Sequence, residues 1–183
     1  VSETLSTYEQ AIITVEGLVE AGNTQTAIDR LTQLLGDPTI SDEDKANALF
    51  ERGQLRMSEQ GYDTFGAIAD FEEVVNTYPQ SPIYGAANEE LGTARGLATS
   101  LTFIKDQPDA TREDKFNSHF ALGEHDEAIA LMQNFDFQPN NDQLVAMYQI
   151  GYLCEGDELT GTVYDAVEPD GSARALQFCD LGK

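Results

Sequence analysis

Apolar residues recur along the chain at the spacing of amphipathic helices, and three short glycine motifs divide these stripes. In each motif a glycine is followed, after four or five residues, by the pair Ala-Ile. Each motif therefore predicts a turn between two helices, where glycine tolerates a left-handed backbone and alanine lets the helices approach closely. The glycines are Gly22, Gly61 and Gly123, the alanines are Ala27, Ala67 and Ala128, and the apolar residues that follow are Leu31, Leu34, Phe71, Val74, Met132 and Phe135.

The middle motif belongs to a more complete pattern. An aromatic residue stands four positions after Ala67, Val74 follows seven positions on, Pro79 twelve positions on, and Gly53 is a small residue of the preceding helix. These residues resemble the tetratricopeptide repeat. The stretch from Ala67 to Pro82 is similar to repeats of bacterial envelope proteins, namely the outer-membrane assembly lipoprotein and the Tol-Pal-associated family. The resemblance implies an all-α, right-handed superhelix of antiparallel helix hairpins, with about eight or nine helices and a concave groove for a peptide or partner helix.

The middle and last motifs are separated by more than one repeat, because Ala67 and Ala128 lie 61 positions apart. We therefore expect a degenerate unit from Ser81 to Pro108, whose short second helix runs from Gly96 to Lys105. After the last motif, a wide apolar face predicts one more helix that seals the stack, with Asn141-Asp142 as its N-cap. The face comprises Leu144, Val145, Met147, Tyr148, Ile150 and Gly151.

The tail of the chain changes from a helical period to an alternating one. Two short strands, Thr160 to Ala166 and Ala173 to Phe178, flank a Pro-Asp-Gly turn and predict a β-hairpin. An isolated hairpin is marginal in water, so we expect it to pack on the last helix. Its role is either a plug that stabilises the stack or, less favoured, an edge that accepts a partner's strand. The packing residues are expected from among Tyr164, Leu176 and Phe178.

The only two cysteines, Cys154 and Cys179, flank this hairpin, and we expect a disulfide between them. Two unpaired thiols and half of a metal site are the alternatives. The chain then divides into a helical-repeat domain, 1–153, and a disulfide-pinned appendage, 154–183. We expect a protein of the periplasm or the extracellular space, because a disulfide forms in an oxidising compartment and a start at Val1 rather than Met suggests a trimmed chain or a mature product whose export signal has been removed. A truncated cytosolic protein is the alternative, and a lipid anchor ahead of Val1 is left open.

The chain carries 33 acidic and 10 basic residues, a formal charge of -23. Such a charge repels phosphate backbones and anionic lipid headgroups, so nucleic acid and membrane surfaces are disfavoured partners. We expect the acidic side chains mainly to keep the surface soluble. Attraction of a basic partner or of divalent cations is the less favoured interpretation. No stretch reaches the roughly 20 apolar residues of a membrane-spanning helix.

Motifs of catalysis are absent from the sequence: it has no phosphate-binding glycine loop, nucleophile elbow, zinc-protease motif or EF-hand. We therefore expect no enzyme activity, no cofactor and no metal. The only histidines, His119 and His125, surround the last glycine turn. We expect His125 to pack in this turn rather than to bind a metal with Glu124 or Asp126. A hydrolase or metal enzyme that uses the two histidines remains as a third interpretation.

The favoured function is a protein-interaction scaffold whose first helices line a groove. Arg52 and Arg56 lie one turn apart and suit a carboxylate of a ligand, although ion pairing with Glu51 or Glu59 is favoured over that role. The candidate groove residues are Asn47, Arg52, Gln54, Arg56, Asn88 and Arg95. The runner-up is a protein that binds a small molecule, which requires a deep groove closed by Phe103, Phe116, Phe120 and Tyr148.

Overall fold

A helical body is followed by a small antiparallel sheet. The computed structural model describes residues 5–132, 137–156, 163–168 and 170–179. Within these ranges there are eight α-helices and three β-strands, which confirms the predicted all-α fold with a small C-terminal β element. The helices are α1 (Thr7–Glu20), α2 (Thr24–Leu35), α3 (Asp42–Met57), α4 (Thr64–Thr77), α5 (Tyr84–Lys105), α6 (Arg112–Leu122), α7 (His125–Leu131) and α8 (Asn141–Gln149), and the strands are β1 (Leu153–Glu155), β2 (Tyr164–Val167) and β3 (Ala173–Phe178).

Short polar side chains determine where several helices begin. At α1 the Ser6 hydroxyl accepts a hydrogen bond from the Glu9 amide at 3.2 Å, and the Glu9 carboxylate accepts one from the Ser6 amide at 2.7 Å. This reciprocal capping box satisfies two helix-end donors at once. Helix α8 has the same arrangement between Asn140 and Gln143. Its N-cap is therefore Asn140, one residue before the predicted Asn141-Asp142, because only Asn140 has its partner three positions on.

Two of the three turn glycines have the left-handed backbone that the motif predicts. The φ angle is 72° at Gly22 and 89° at Gly123. At the middle turn Tyr62 takes the positive φ instead, at 48°, and Gly61 is required for a different reason. A Cβ atom at Gly61 would lie 2.0 Å from the carbonyl oxygen of Leu55, so no other residue fits against the end of α3.

The small residues of the motifs lie where the paired helices touch. Ala27, Ala67 and Ala128 are fully buried, as predicted from their position after each turn. Gly53 of α3 packs directly on the ring of Phe71 in α4, and a Cβ atom there would lie 2.5 Å from the ring. Helices α1 and α2 thus form unit one, α3 and α4 form unit two, and α6 and α7 form the last unit. Phe135 lies outside the described residues.

The degenerate pair of helices predicted between unit two and the last unit does not form. Residues 84–105 form one continuous helix, α5, instead. The segment predicted as a separate second helix, Gly96 to Lys105, is the C-terminal half of α5. No proline or turn motif interrupts this stretch, and its buried residues keep one helical stripe from end to end. The stripe consists of Ala87, Leu91, Ala94 and Ala98.

The three glycine turns lie side by side along one edge of the body. The Gln25 side-chain amide donates hydrogen bonds to the carbonyls of Gln60 at 3.1 Å and Gly61 at 3.0 Å, which joins the first turn to the second. The Thr64 hydroxyl donates to the carbonyl of Ala121 at 2.7 Å, which joins the second turn to the last. Units two and last are therefore neighbours at this edge although α5 separates them in sequence.

The end of α8 returns to the first turn. The Gln149 side-chain amide donates to the carbonyl of Gly22 at 3.3 Å and accepts from the amide of Gln25 at 3.4 Å. We call this contact the Gln149 clasp. It joins the last helix of the body to its first helix hairpin.

The C-terminal sheet has three strands in the order β1-β3-β2, all antiparallel, so the predicted two-stranded hairpin corresponds to β2 and β3 only. Strand β1 is additional, and it pairs Leu153 with Phe178 and Cys154 with Gln177. The first predicted strand residues, 160–162, lie outside the described ranges. A three-residue strand has no alternating pattern of its own and forms here because the edge of β3 pairs with it.

The sheet and the last helices share one apolar core. Buried residues of β1, β2 and β3 pack with those of α6, α7 and α8, as predicted for Tyr164 and Leu176. The division into 1–153 and 154–183 stays a prediction, and β1 spans that boundary. The shared core comprises Phe116, Phe120, Ala128, Met132, Leu144, Val145, Ala146, Met147, Leu153, Tyr164, Ala166 and Leu176.

Candidate binding groove between the first two repeat units

A groove of about 460 Å³ separates α1 from α3, the first helices of units one and two. Both helices pack against α2, which lies behind them and leaves a channel between their outer faces. Its lining residues are Val15, Glu16, Val19, Glu20, Glu51, Gln54 and Leu55. We call this channel the α1–α3 groove.

The floor of the groove is apolar. Val15 is buried, Leu55 is half-buried and packs on the core of unit one, and Val19 is 40% exposed. Val15 lies at the base of the groove, and the accessible apolar surface comes from Val19 on α1 and Leu55 on α3. We call these three residues the apolar strip.

The sides of the groove are acidic. Among the described residues that line it, Glu16, Glu20 and Glu51 are carboxylates and none is basic; we call these three the acidic rim. The Tyr8 hydroxyl donates a hydrogen bond to Glu51 at 3.2 Å. Burial raises the pKa of Glu51, the hydrogen bond from Tyr8 lowers it, and the charge of Glu16 raises it again, with a net increase. The rim therefore holds like charges close together without a cation between them.

Of the six residues predicted to face a groove, Gln54 lines this one. Arg52 and Arg56 point instead toward α4, where they hold the carboxylate of Asp70. Arg52 donates to the two Asp70 oxygens at 3.0 and 2.6 Å, and Arg56 donates to one of them at 2.9 Å. Arg52 also donates to the Thr32 hydroxyl on α2 at 3.0 Å, so it lies between the second helices of two units.

The predicted pair of arginines thus does hold a carboxylate, but it belongs to the same chain. The Asp70 side chain is only 3% exposed. The expected ion-pair partners, Glu51 and Glu59, are wrong. Because α4 packs against α3, Asp70 pairs with both arginines, and Asp63 just before α4 pairs with Arg56 at 3.2 Å. Any contact of Arg52 or Arg56 with a partner protein stays a prediction.

The other three predicted residues are dispersed. Asn47 is half-buried on α3, and Asn88 is exposed on α5. Arg95 of α5 forms an ion pair with Glu72 of α4 at 2.7 Å, and both side chains are largely open to solvent. Their part in binding stays a prediction. The structure does not bring the six residues together at one surface.

The residues that build the α1–α3 groove were not predicted as a site. The sequence did contain a signal for this groove. The pair Val-Glu occurs twice, as Val15-Glu16 and Val19-Glu20, one turn apart on a helix without any basic residue. That spacing places an apolar strip beside an acidic one. Only the packing of α3 shows that Glu51 completes the rim.

Unit two, which forms one side of the groove, carries the pattern of small and aromatic residues described above. A tetratricopeptide repeat family model matches residues 47–81. The match begins within α3, includes all of α4 and covers about a fifth of the chain. The body is therefore tetratricopeptide-like, whereas the narrower resemblance to envelope lipoprotein and Tol-Pal-associated repeats gains no support from this match. Neither the curated proteins nor the solved structures gave a match.

Each of the two histidines in the tetratricopeptide-like body contacts another residue of the same chain. His119 Nδ1 and Lys105 Nζ both lie 2.6 Å from one oxygen of Glu124. Burial acts to raise the pKa of Glu124, but the hydrogen bonds and charges of Lys105 and His119 outweigh it and lower the pKa. His125 Nε2 lies 2.8 Å from the Tyr62 carbonyl. Within the described ranges no group of three or more ligating side chains suits a metal ion.

The four aromatic residues of the small-molecule hypothesis are separated in the structure. Phe116 and Phe120 stack on each other in the core and are fully buried. Phe103 is 67% exposed on α5, and Tyr148 is hydrogen-bonded to Arg174 of the sheet. A pocket closed by all four does not form.

The two cysteines are neighbours. Cys154 lies in β1, and Cys179 follows β3, with its amide donating to the Tyr152 carbonyl at 3.1 Å. Both are thiols in this structure. Burial, together with the hydrogen bond and the charge interaction between the Cys179 and Cys154 side chains, raises the pKa of Cys179 to about 11. The disulfide stays a prediction. In the described part of the chain, no helix is both long and apolar enough to cross a membrane.

Proposed function

We propose that this chain is a protein-interaction scaffold and that the α1–α3 groove binds a peptide segment or a partner helix. Tetratricopeptide repeats generally mediate protein–protein interactions and are generally non-enzymatic. The observation that carries the proposal is an open channel of about 460 Å³ between two first helices, with an apolar floor that nothing in the described chain covers. A channel with an apolar floor and polar sides is the surface that an amphipathic helix recognises.

A photo-cross-linking amino acid placed at Val19 tests the proposal. Ile13 is the matched control, because it lies on the same helix, is 56% exposed and does not line the groove. We expect adducts with a partner from an envelope extract at position 19 and none at position 13. The variant Gln54→Trp, which fills the groove from α3 at an exposed position, should abolish them. Equal labelling at both positions would refute a binding role for the groove.

The proposal extends to location in the periplasm or outside the cell. Its support is the contact between the Cys154 and Cys179 thiols, since two cysteines this close form a disulfide readily in an oxidising compartment. Protein isolated without reductant and then unfolded should show no free thiol in a titration. Two titratable thiols per chain would argue for a reducing compartment.

A further inference from the structure

The acidic rim is not neutralised by the chain itself. Glu16 and Glu20 lie one turn apart on α1, a helix that contains no lysine or arginine, so no basic side chain on the same helix pairs with them. Across the groove, Glu51 contacts Tyr8 rather than a cation. No ion pair between the rim and any described residue is present.

Other carboxylates of this protein that are shielded from solvent form ion pairs with basic side chains. Asp70 is held by two arginines, and Glu124 is held by Lys105 and His119. The chain has only 10 basic residues for 33 acidic ones, yet it places some of them on these two carboxylates. The half-buried Glu51 receives none, although like charge lies close by in Glu16. The groove thus lacks the positive charge that the chain supplies to comparable carboxylates elsewhere.

We propose that the ligand of the α1–α3 groove is a basic amphipathic protein segment whose lysines or arginines meet the acidic rim while aliphatic side chains occupy the apolar strip. This inference rests on the proposed function and specifies its partner. Charge complementarity selects the occupant: three carboxylates line the groove, and the chain around it has a net charge of -23. That field also speeds the approach of a cationic partner and repels an acidic one.

The geometry specifies the pattern of the segment. Val19 on α1 and Leu55 on α3 supply the accessible apolar surface, and two aliphatic residues one helical turn apart give a ligand helix one apolar face to lay on them. Glu16 and Glu20 lie one helical turn apart beside the strip, so basic residues next to those aliphatic positions meet the rim. A segment with only one of the two features lacks half of the contacts.

Three synthetic peptides of about 12 residues, or roughly three helical turns, test this pattern. The first has two leucines one turn apart with flanking lysines, the second has the same residues scrambled, and the third replaces every lysine by glutamate. Fluorescence anisotropy gives the dissociation constant of each with the full chain. We expect the patterned basic peptide to bind most tightly, with an affinity that falls as salt rises.

Protein variants separate the groove from the general negative field. Glu16→Gln, Glu20→Gln and Glu51→Gln together should weaken binding of the patterned peptide about tenfold. The control combines Glu59→Gln, Glu73→Gln and Glu89→Gln, which removes the same charge from residues that do not line the groove, and should weaken binding much less. Val19→Asp should also weaken binding although it adds negative charge, whereas Ile13→Asp should not.

Several outcomes would overturn the proposal. Equal losses in the two triple variants, no effect of Val19→Asp, or equally tight binding of the scrambled peptide or of spermidine would show attraction to the overall charge alone. Tighter binding of the glutamate peptide, combined with position-specific cross-linking at Val19, would overturn the basic ligand and leave the scaffold in place. Absence of both peptide binding and cross-linking would remove both proposals.

Discussion

Replacing Asp70 by asparagine removes one negative charge from the interface between α3 and α4 while keeping the shape of the side chain. The carboxylate accepts three hydrogen bonds from Arg52 and Arg56, at 2.6, 2.9 and 3.0 Å, and is almost fully buried. In Asp70→Asn an amide NH₂ faces a guanidinium. Arg52 then loses its counter-ion, whereas Arg56 keeps the Asp63 carboxylate at 3.2 Å. Breaking a buried pair from one side typically costs about 3 to 5 kcal/mol.

The expected loss lies at the lower end of that range. The two arginine side chains are 13% and 19% exposed, so water partly compensates them after the substitution. We therefore expect Asp70→Asn to lower the free energy of unfolding by about 3 kcal/mol. Urea titration followed by circular dichroism measures this loss, provided that the slope of the transition is unchanged.

The matched control is Glu72→Gln, two residues further along α4. Glu72 forms one ion pair with Arg95, both side chains are well exposed, and the expected loss is below about 1 kcal/mol. Substituting Arg52→Met, Arg56→Met and Asp70→Leu together should recover most of the stability, because the buried charges are removed together and Asp63, which loses Arg56, is 30% exposed and remains solvated. If Asp70→Asn costs no more than Glu72→Gln, Asp70 does not anchor the two helices.

Four further variants should change the stability of the protein, two of them in opposite directions and two in a pH-dependent way. Gly53→Ala places a Cβ atom 2.5 Å from the buried Phe71 ring and should lower the stability by about 1 to 3 kcal/mol in thermal unfolding. Gly92→Ala meets nothing within 4 Å on the outer side of α5 and should raise it by about 0.5 to 1 kcal/mol. Glu124→Gln should destabilise the protein at pH 7, and this loss should vanish as the pH falls from 4.5 through the lowered pKa of Glu124, since the protonated acid no longer gains from its basic partners. Glu51→Gln should instead stabilise the free protein at pH 7, because the raised pKa of Glu51 means that its ionised form is disfavoured on folding, and the gain should disappear below about pH 4.5. Urea titrations at pH 3 and pH 7 check both glutamate variants, and an effect that does not change with pH would contradict the assigned pKa directions.

Local steric rules were enough to predict the hairpins. Gly22 and Gly123 adopt positive φ, and Ala27, Ala67 and Ala128 are buried at helix contacts, because these requirements depend on a few neighbouring residues. Prediction from the spacing between distant motifs was less successful. The spacing between the second and last motifs predicted a hairpin, whereas local sequence allowed one continuous helix, α5.

The direction of side chains on α3 could not be predicted from the sequence. Arg52 and Gln54 are two positions apart, yet one contacts α2 and α4 and the other lines the α1–α3 groove. Which face of a helix is open depends on the helices packed against it, and here α4 supplies Asp70 from 18 positions away. Strand β1 was missed for the same reason, since its pairing with β3 exists only after the chain has folded back.

The Gln149 clasp affects how the whole body can deform. In an open array each layer touches only its neighbours, so small rotations between layers add up and the array stretches like a spring. Here two hydrogen bonds tie the last helix to the first hairpin, and any lengthening of the coil must first break them. The two hydrogen bonds therefore resist stretching of the helical body. They also link α8 back to the first hairpin, so the separation of α1 and α3 depends on contacts around the whole body and not only on their packing against α2.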